Sequence, residues 1–394
     1  MRMWVEKWLS RRAAVAGLSF ALCGFASAAT NPNYLVTNDD VAPFFETGVS
    51  VYNIAANGVL TANTEVPTGG SGAGGGYFGS NRVVTLNNGT NQCIYASEGS
   101  TGDIVGIVVG TLEIGGSASG SSTDGGTSNG IGLAINSQYI YASFTDSNTI
   151  GTFQIQPGCS LTFINDVSVT GLQGGVVDGM TINGNMMVVT YGDGSIESFD
   201  ISSGPPVSNG DKQDSTVSVK STFSSYPTGV IITHDGHYAI FGDTATSDTI
   251  EVSDISSGKL SATVSYSLGT AINSSTVMLS PDETLLYVAN SQGDKVTAAF
   301  FNAKTGQITR GCSTGPLQGY VTDWSYLAGL ATQTNTGTGN VVYVAEFGGL
   351  SGIAMVQVTS QGGKCTMKEM PGSPVSDPFS TALLSIATFP PPSF

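Results

Sequence analysis

The chain has 394 residues, 40% hydrophobic and only 11% charged, with 53 glycines and a formal net charge of −16. That apolar content builds a sizeable core and excludes wholesale disorder. The acidic balance repels phosphate backbones and anionic membranes, which excludes nucleic acid as a partner. Helix-forming stretches of any length are absent, and β-branched residues come in short runs between Gly, Ser and Thr, which predicts an all-β fold.

The first residues read as an address. Arg2, Lys7, Arg11 and Arg12 form a basic region, residues 13–25 an apolar stretch, and Ala26-Ser27-Ala28 a small-residue cleavage site. These are the parts of a signal peptide, so residues 1–28 are expected to be removed and the rest exported, to the periplasm or beyond it. The apolar stretch is too short for a membrane span, and no other segment approaches one. Cys23 follows the bulky Leu22, where a lipoprotein signal needs a small residue, so no lipid anchor is expected. The Arg11-Arg12 pair suits the twin-arginine route and an ordinary Sec signal equally. Without residues 1–28, nine basic residues face 28 acidic ones, and arginine survives only at 82 and 310. Four cysteines remain, Cys93, Cys159, Cys312 and Cys365; an even number in an exported chain predicts two disulfides, and count alone leaves three pairings open.

From there one unit recurs. Its second strand reads YLVTN at Tyr34, YASEG at Tyr95, YASFT at Tyr141, MVVTY at Met187, FGDTA at Phe241, YVANS at Tyr287 and YVAEF at Tyr343, at steps of 61, 46, 46, 54, 46 and 56 residues. Each is followed by a second alternating run, such as TIGTFQI or KVTAAFF, then a Gly turn and a third run, such as GKLSATV. Most are preceded by another short strand, as in GIGLAIN or STVMLSPDE. Four antiparallel strands about every fifty residues is the pattern of propeller blades. A parallel β-helix needs shorter coils, and separate sandwich domains would not share one motif at this regularity. The unit at Tyr34 lacks its inner strand, while an orphan apolar run, TALLSIATF, lies at 381–389. Placed together they close a seven-bladed ring over residues 29–394 and remove the exposed sheet edges.

SPDETLLYVANSQGDKV, from Ser280, resembles the YVTN repeat, and the chain from about residue 31 resembles the seven-bladed lactonase-like propellers, the family of 6-phosphogluconolactonases and carboxymuconate cyclases. The resemblance implies the fold. It also implies an activity, lactone hydrolysis or cycloisomerisation, that uses a histidine, an acid and arginines around the central funnel to handle an anionic substrate.

Strand order sorts the candidates onto two faces. Connections from strand two to three, and between blades, belong to the face where propellers open their funnel; connections from one to two and three to four belong to the other. His234 and His237, in THDGHYAIF, fall on the far face as turn residues. Arg82 is the arginine expected at the funnel. Acidic and amide residues gather there by position: Asp39, Asp40, Glu98, Asp146, Asp193, Asp243, Asn290 and Glu346 in the loops between strands two and three, and Asn81, Asp178, Tyr226, Asp323, Trp324 and Tyr326 between blades. Arg82, Glu98, Asp178 and Glu346 are the catalytic candidates. Asp323, Trp324, Tyr326, Tyr226 and Asn81 are the ligand-binding candidates, aromatic rings suiting sugar faces or other flat ligands. Asp146, Asp193 and Asp243 offer the oxygen donors that calcium takes, although no loop has the dense spacing of a dedicated calcium site; Asp and Asn also populate tight turns for backbone reasons. No Gly-x-Ser-x-Gly elbow occurs, and the glycine-rich stretches at 70–76 and 115–130 read as flexible connections.

The expected disulfides are Cys93–Cys159, on one face of blades two and three, and Cys312–Cys365, on the outer strands of blades six and seven. Two functions fit: an exported, monomeric, non-catalytic propeller that binds a small neutral or cationic ligand, a sugar or lactone, or a protein partner through its acidic funnel face; or a lactone hydrolase or cyclase acting through funnel carboxylates.

Overall fold

The computed structural model describes residues 32–39, 46–72, 81–120, 131–145, 147–214, 229–242, 249–269, 274–290, 295–318, 326–335, 339–347, 352–378 and 383–391. The signal-peptide reading of residues 1–28 lies outside them. No α-helix occurs among the described residues.

Seven antiparallel sheets make seven blades, each written here from its inner strand outward. Blade two comprises Val83–Asn87, Gln92–Glu98, Asp103–Val108 and Glu113–Ser119; blade three Ile131–Ile135, Tyr139–Phe144, Thr149–Ile155 and Leu161–Ser168. Blade four has Val177–Asn183, Met186–Tyr191 and Ser195–Asp200, with an outer strand broken into Val207–Ser208 and Gln213–Asp214. Blade five runs Val230–Ile232, Tyr238–Gly242, Thr249–Asp254 and Val264–Ser267; blade six Ser274–Leu279, Leu285–Asn290, Val296–Asn302 and Gln307–Ser313. Blade seven comprises Tyr326–Asn335, Gly339–Phe347, Gly352–Gln361 and Lys364–Glu369, with Val375–Ser376 also pairing its third strand.

Blade one is built from both ends of the ring: Leu383–Phe389 is the inner strand, followed by Tyr34–Asp39, Glu46–Ile54 and Leu60–Ser71. Tyr34 opposes Phe389, and the register holds through Asn38 opposite Ser385. The orphan run therefore closes the ring as expected.

The core is divided among the seams between blades. Successive residues of a strand point to opposite faces, so each second strand feeds two seams at once: Ile94 and Ala96 pack with blade one, Cys93 and Tyr95 with blade three. The tyrosine of the repeat is fully buried at 95, 141, 287 and 343. Its ring contributes roughly 2 kcal/mol by burial, and at 141, 287 and 343 its hydroxyl reaches the next blade. Tyr141 donates to the Gly204 carbonyl at 2.8 Å, Tyr343 to the Gly58 carbonyl at 2.9 Å, and Asn340 donates to the Tyr287 oxygen at 3.0 Å. The repeat motif is thus a clamp between blades.

Both disulfides also span seams, Cys93–Cys159 between blades two and three and Cys312–Cys365 between blades six and seven. Of the glycine-rich stretches read as connections, residues 70–71 and 115–119 belong to outer strands, while residues 73–76 and 121–130 lie outside the described residues. The strands need glycine for close approach: a Cβ on Gly70 would stand 1.9 Å from Glu98 Oε2, and one on Gly115 would stand 1.9 Å from the Gly158 carbonyl.

Candidate functional site

The upper face, where second and third strands connect, is the one that holds the candidates. Arg82 stands immediately before the inner strand of blade two and is 1% exposed. Its backbone is fixed by the closing strand and its neighbours: the Arg82 N–H donates to Ser385 Oγ at 3.0 Å, and the Arg82 carbonyl accepts from Asn38 Nδ2 at 3.0 Å and from the Ser97 N–H at 2.9 Å. The ring closure therefore positions this arginine.

Asp178 is placed by a β-bulge. Val177 opposes Tyr191 and Gly179 opposes Thr190, which leaves Asp178 as the extra residue. The Gly179 N–H, displaced from the ladder, donates to Thr190 Oγ1 at 2.9 Å. Bulges re-aim side chains and are common beside functional sites. The same irregularity recurs near the start of the inner strands of blades one, six and seven, so it belongs to the scaffold, and blade four loads it with a carboxylate. Asp178 is 0% exposed.

Arg82 and Asp178 lie near the hub and each feels the other's charge. Burial lowers the Arg82 guanidinium to about 10, against the opposing pull of Asp178. Burial pushes the Asp178 carboxyl well above the usual range, and the Arg82 charge restrains it. Both groups are buried, one just before the inner strand of blade two and the other in the inner strand of blade four.

The other two catalytic candidates are not gathered with this pair. Glu98 turns toward blade one, where its Oε2 accepts from Thr47 Oγ1 at 2.5 Å. Burial raises its pKa and hydroxyls of Thr47 and Thr68 pull it back. Glu346 ends the second strand of blade seven, on the parity of Val342 and Val344, which pack in the seam with blade six. It is 1% exposed, and among the described residues its oxygens have no hydrogen-bond partner. Burial, with the Glu369 charge behind it, pushes Glu346 up to about 8.

A single register position explains this distribution. Asp39, Glu98, Phe144, Tyr191, Asn290 and Glu346 occupy the upper end of their second strands. Asp39 accepts from Thr37 Oγ1 at 2.6 Å and Ser50 Oγ at 2.5 Å, next to Asp377. Phe144 and Tyr191 enter the apolar clusters shared with the preceding blade. Asn290 Nδ2 donates to the Lys295 carbonyl at 3.0 Å. Each side chain serves its own seam; the sequence shows how many carboxylates the face carries but not that parity turns them sideways.

Asn81 is exposed, and its carbonyl accepts from the Leu133 N–H at 2.6 Å, binding two inner strands. Asp193 uses both oxygens to tie its turn to the segment before the inner strand of blade four, accepting from the N–H groups of Gln173, Gly175 and Ser195 and from Ser195 Oγ. Partial burial raises its pKa, but these donors outweigh it and hold the carboxyl below the usual range. Asp40, Asp146, Asp243, Tyr226, Asp323 and Trp324 lie outside the described residues, as does the side chain of Tyr326, whose backbone opens the inner strand of blade seven. Among the described residues no three His, Cys, Asp or Glu gather as a metal site.

The histidines are on the lower face, in the turn between Val230–Ile232 and Tyr238–Gly242. His237 Nδ1 stands 3.0 Å from Asp235 Oδ2, with both side chains well exposed.

The sequence reading missed the bulge and Ser385. A signal for the bulge exists: glycine recurs at the register position just after it, at Gly179 and Gly329, and at the equivalent Gly132.

A seven-bladed ring with its polar hub at the upper face defines the class. The sequence model of the family "Lactonase, 7-bladed beta-propeller" matches residues 94–371, and the chain belongs to that family. No curated protein matches it in sequence. Among solved structures, a Bacteroides uniformis protein provisionally named a 6-phosphogluconolactonase shares 13% identity at a TM-score of 0.66, covering 91% of this chain and 100% of that one. Its counterpart from Bacteroides fragilis shares 15% at 0.64, covering 92% and 99%. The periplasmic gluconolactonase of Pseudomonas aeruginosa shares 12% at 0.63, covering 90% and 98%. At these identities the likeness is one of fold.

Proposed function

We propose that the protein is an exported binding protein of the lactonase-propeller family that takes a small neutral ligand, a sugar or sugar lactone, at its upper face. The Arg82–Asp178 pair carries the reading. It offers a guanidinium donor and a carboxyl acceptor beneath that face, which suits hydroxyl and carbonyl groups. A phosphorylated ligand would bring further negative charge to a chain of net charge −16, with Arg82 as its counter-ion. The ligand class is supported by the gluconolactonase and the provisional 6-phosphogluconolactonases among the structural neighbours. Export is supported by the two disulfides, which persist in oxidising compartments, and by the periplasmic neighbour.

A second reading, lactone hydrolysis, has one observation in its favour. Glu346 holds its proton to about pH 8 in a buried position on the same face, the character of a general acid–base group. Two measurements separate the readings: calorimetric titration with gluconolactam, a non-hydrolysable isostere, and a pH-stat assay with glucono-δ-lactone. Binding of the lactam, weakened roughly tenfold or more by Arg82→Lys, with lactone opening at its spontaneous rate, supports the binding protein. Catalysed opening that is lost in Glu346→Gln establishes the hydrolase instead.

A further inference from the structure

We infer that a proton seals the ring: Asp39 of blade one and Asp377 of the segment leading into the closing strand share the Ser50 hydroxyl, and the closure tightens in acid and loosens as the pH rises. The sequence sets the condition. The two stretches that meet at the closure, residues 29–81 and 369–394, contain no lysine, arginine or histidine, but they carry six of the chain's aspartates and glutamates. A carboxylate buried at this joint therefore has no basic group to neutralise it from its own part of the chain.

The fold brings the carboxylates together. Val375–Ser376 pairs with the third strand of blade seven, and the next residue, Asp377, reaches blade one, where Ser50 Oγ stands 3.4 Å from its Oδ1. The same Ser50 Oγ lies 2.5 Å from Asp39 Oδ2, and Thr37 Oγ1 lies 2.6 Å from Asp39 Oδ1. Thr37 opposes Ser50, and Ser50 opposes Glu65, so Glu65 of the outer strand shares this face. The fully buried Tyr52 phenol feels the charges of both Asp377 and Asp39. Blade seven meets the joint with the apolar Ile353, Met355 and Val375. Its Lys368 has the parity of Met355 but stands exposed on the outer strand, at the level of Gln357. Asp40 and the side chain of Glu46 lie outside the described residues. The charges that act on Asp39 are both negative, those of Asp377 and Glu65.

One hydrogen decides how the joint holds. With Asp39 protonated, its carboxyl O–H donates to Ser50 Oγ, and the Ser50 O–H turns to Asp377 Oδ1. That is a hydrogen-bonded chain from blade one to the closing segment. With the proton gone, Ser50 donates to Asp39, Asp377 loses that donor, and two carboxylates face each other across one hydroxyl. Asp39 is 1% exposed; burial pushes its carboxyl well above the usual range, the Asp377 charge adds to this, and the Ser50 and Thr37 hydroxyls pull it back. The sealed form thus keeps a proton that the open form releases. The seal is complete below the ordinary aspartate value of 3.8 and is lost as the pH rises through the raised value. The effect reaches the hub, because Asp39 follows Asn38, which opposes Ser385 and donates to the Arg82 and Ser97 carbonyls at 3.0 and 2.8 Å.

The test is amide hydrogen exchange of the mature chain, read by mass spectrometry between about pH 5 and pH 8 and corrected for the chemical exchange rate. We expect protection of the closing strand, Leu383–Phe389, to fall about tenfold or more over that range, while Tyr139–Phe144 of blade three keeps its protection. Asp39→Asn should make protection of the closing strand independent of pH. Asp377→Asn, at a half-buried position, keeps an acceptor for Ser50 and removes the charge; it should reduce the fall by about threefold or more, and it serves alone if Asp39→Asn does not fold. The inference is overturned if the closing strand's protection does not change with pH, or if blade three loses protection in step with it. It is overturned equally if Asp377→Asn keeps the parent's profile, which would assign the effect to the burial of Asp39 alone.

Discussion

Two acid–base pairs sit on opposite faces of the ring, and they differ above all in burial. Arg82 and Asp178 lie at the upper hub, 1% and 0% exposed. His237 and Asp235 lie on the lower face, with 56% and 41% of their side chains in water. The first pair rests on ring closure through Ser385 and on a β-bulge; the second is part of a four-residue turn. Desolvation separates them. Water screens an exposed pair to a median of about 0–1 kcal/mol, while removing one partner of a buried pair strands the other at a cost of about 3–5 kcal/mol. A motif search that weights histidines highest would choose the energetically empty end.

The sharpest way to break this comparison is to remove the strand that holds the hub. Deleting residues 383–394 takes away the inner strand of blade one, with Ile386 and Phe389 from two seams, and the Ser385 hydroxyl that fixes Arg82. The expected result is loss of cooperative thermal unfolding or outright aggregation. A truncated chain that melts like the parent would mean that the closing strand contributes little. Next in size is Arg82→Ala, expected to cost about 3–5 kcal/mol in urea titration because Asp178 loses its opposite charge. Arg82→Met combined with Asp178→Asn should recover much of that, since neither charge is then left alone. A loss under about 1 kcal/mol in the single variant would place the hub pair in the class of the surface pair.

Much of this arrangement was legible in the sequence. The repeat at Tyr34, Tyr95, Tyr141, Met187, Phe241, Tyr287 and Tyr343 gave blade count and strand order, and the orphan run gave the closure, because both are carried by periodic apolar residues. Disulfide pairing followed from blade adjacency. Strand order alone puts His234 and His237 in a turn between first and second strands, which is where they stand. What could not be read was direction. Glu98 and Glu346 share a face with Arg82, but one turns into the seam with blade one and the other into the seam with blade six, a consequence of side-chain parity. Asp178 reaches the hub only because a bulge inserts it. Such an irregularity follows from local packing, which a repeat pattern averages away.

Glu346 sharpens the comparison from within the upper face, because it is buried with no opposite charge beside it among the described residues. Its pKa is raised from 4.5 to about 8. The folded state then keeps a proton that the unfolded chain has released, so this contribution to stability is complete below about pH 4.5 and is lost progressively up to about pH 8. The slope is at most about 1.4 kcal/mol per pH unit. Glu346→Gln has no such proton to lose. Its stability relative to the parent should rise by about 3–4 kcal/mol between pH 5 and pH 8 and then level off. Parallel pH dependences for the two proteins would show that the carboxyl finds solvent or a partner. Asp39 has the same sign, raised by burial and then by Asp377, but the Thr37 and Ser50 hydroxyls lower it again. Asp39→Asn should therefore flatten the pH dependence in the same direction.

The smallest expected effect is at the lower turn, and it tests the comparison most directly. The turn is held by backbone groups and by Thr233 and Asp235. The Gly236 N–H donates to the Thr233 carbonyl at 2.8 Å, Thr233 Oγ1 donates to Asp235 Oδ1 at 2.7 Å, and the His237 N–H donates to Asp235 Oδ1 at 3.1 Å. The His234 N–H donates to Glu283 Oε1 at 2.5 Å, again through the main chain. A substitution of both imidazoles leaves every one of these bonds in place. His234→Ala with His237→Ala should change stability by no more than about 0.5 kcal/mol and leave gluconolactam binding as it was. Asp235→Ala removes the acceptor that organises the turn and should cost about 1 kcal/mol. If the double histidine variant lost more stability than Asp235→Ala, or lost the ligand, the two ends of the ring would have to exchange roles, because imidazoles in open water would then be carrying what desolvation assigns to the hub.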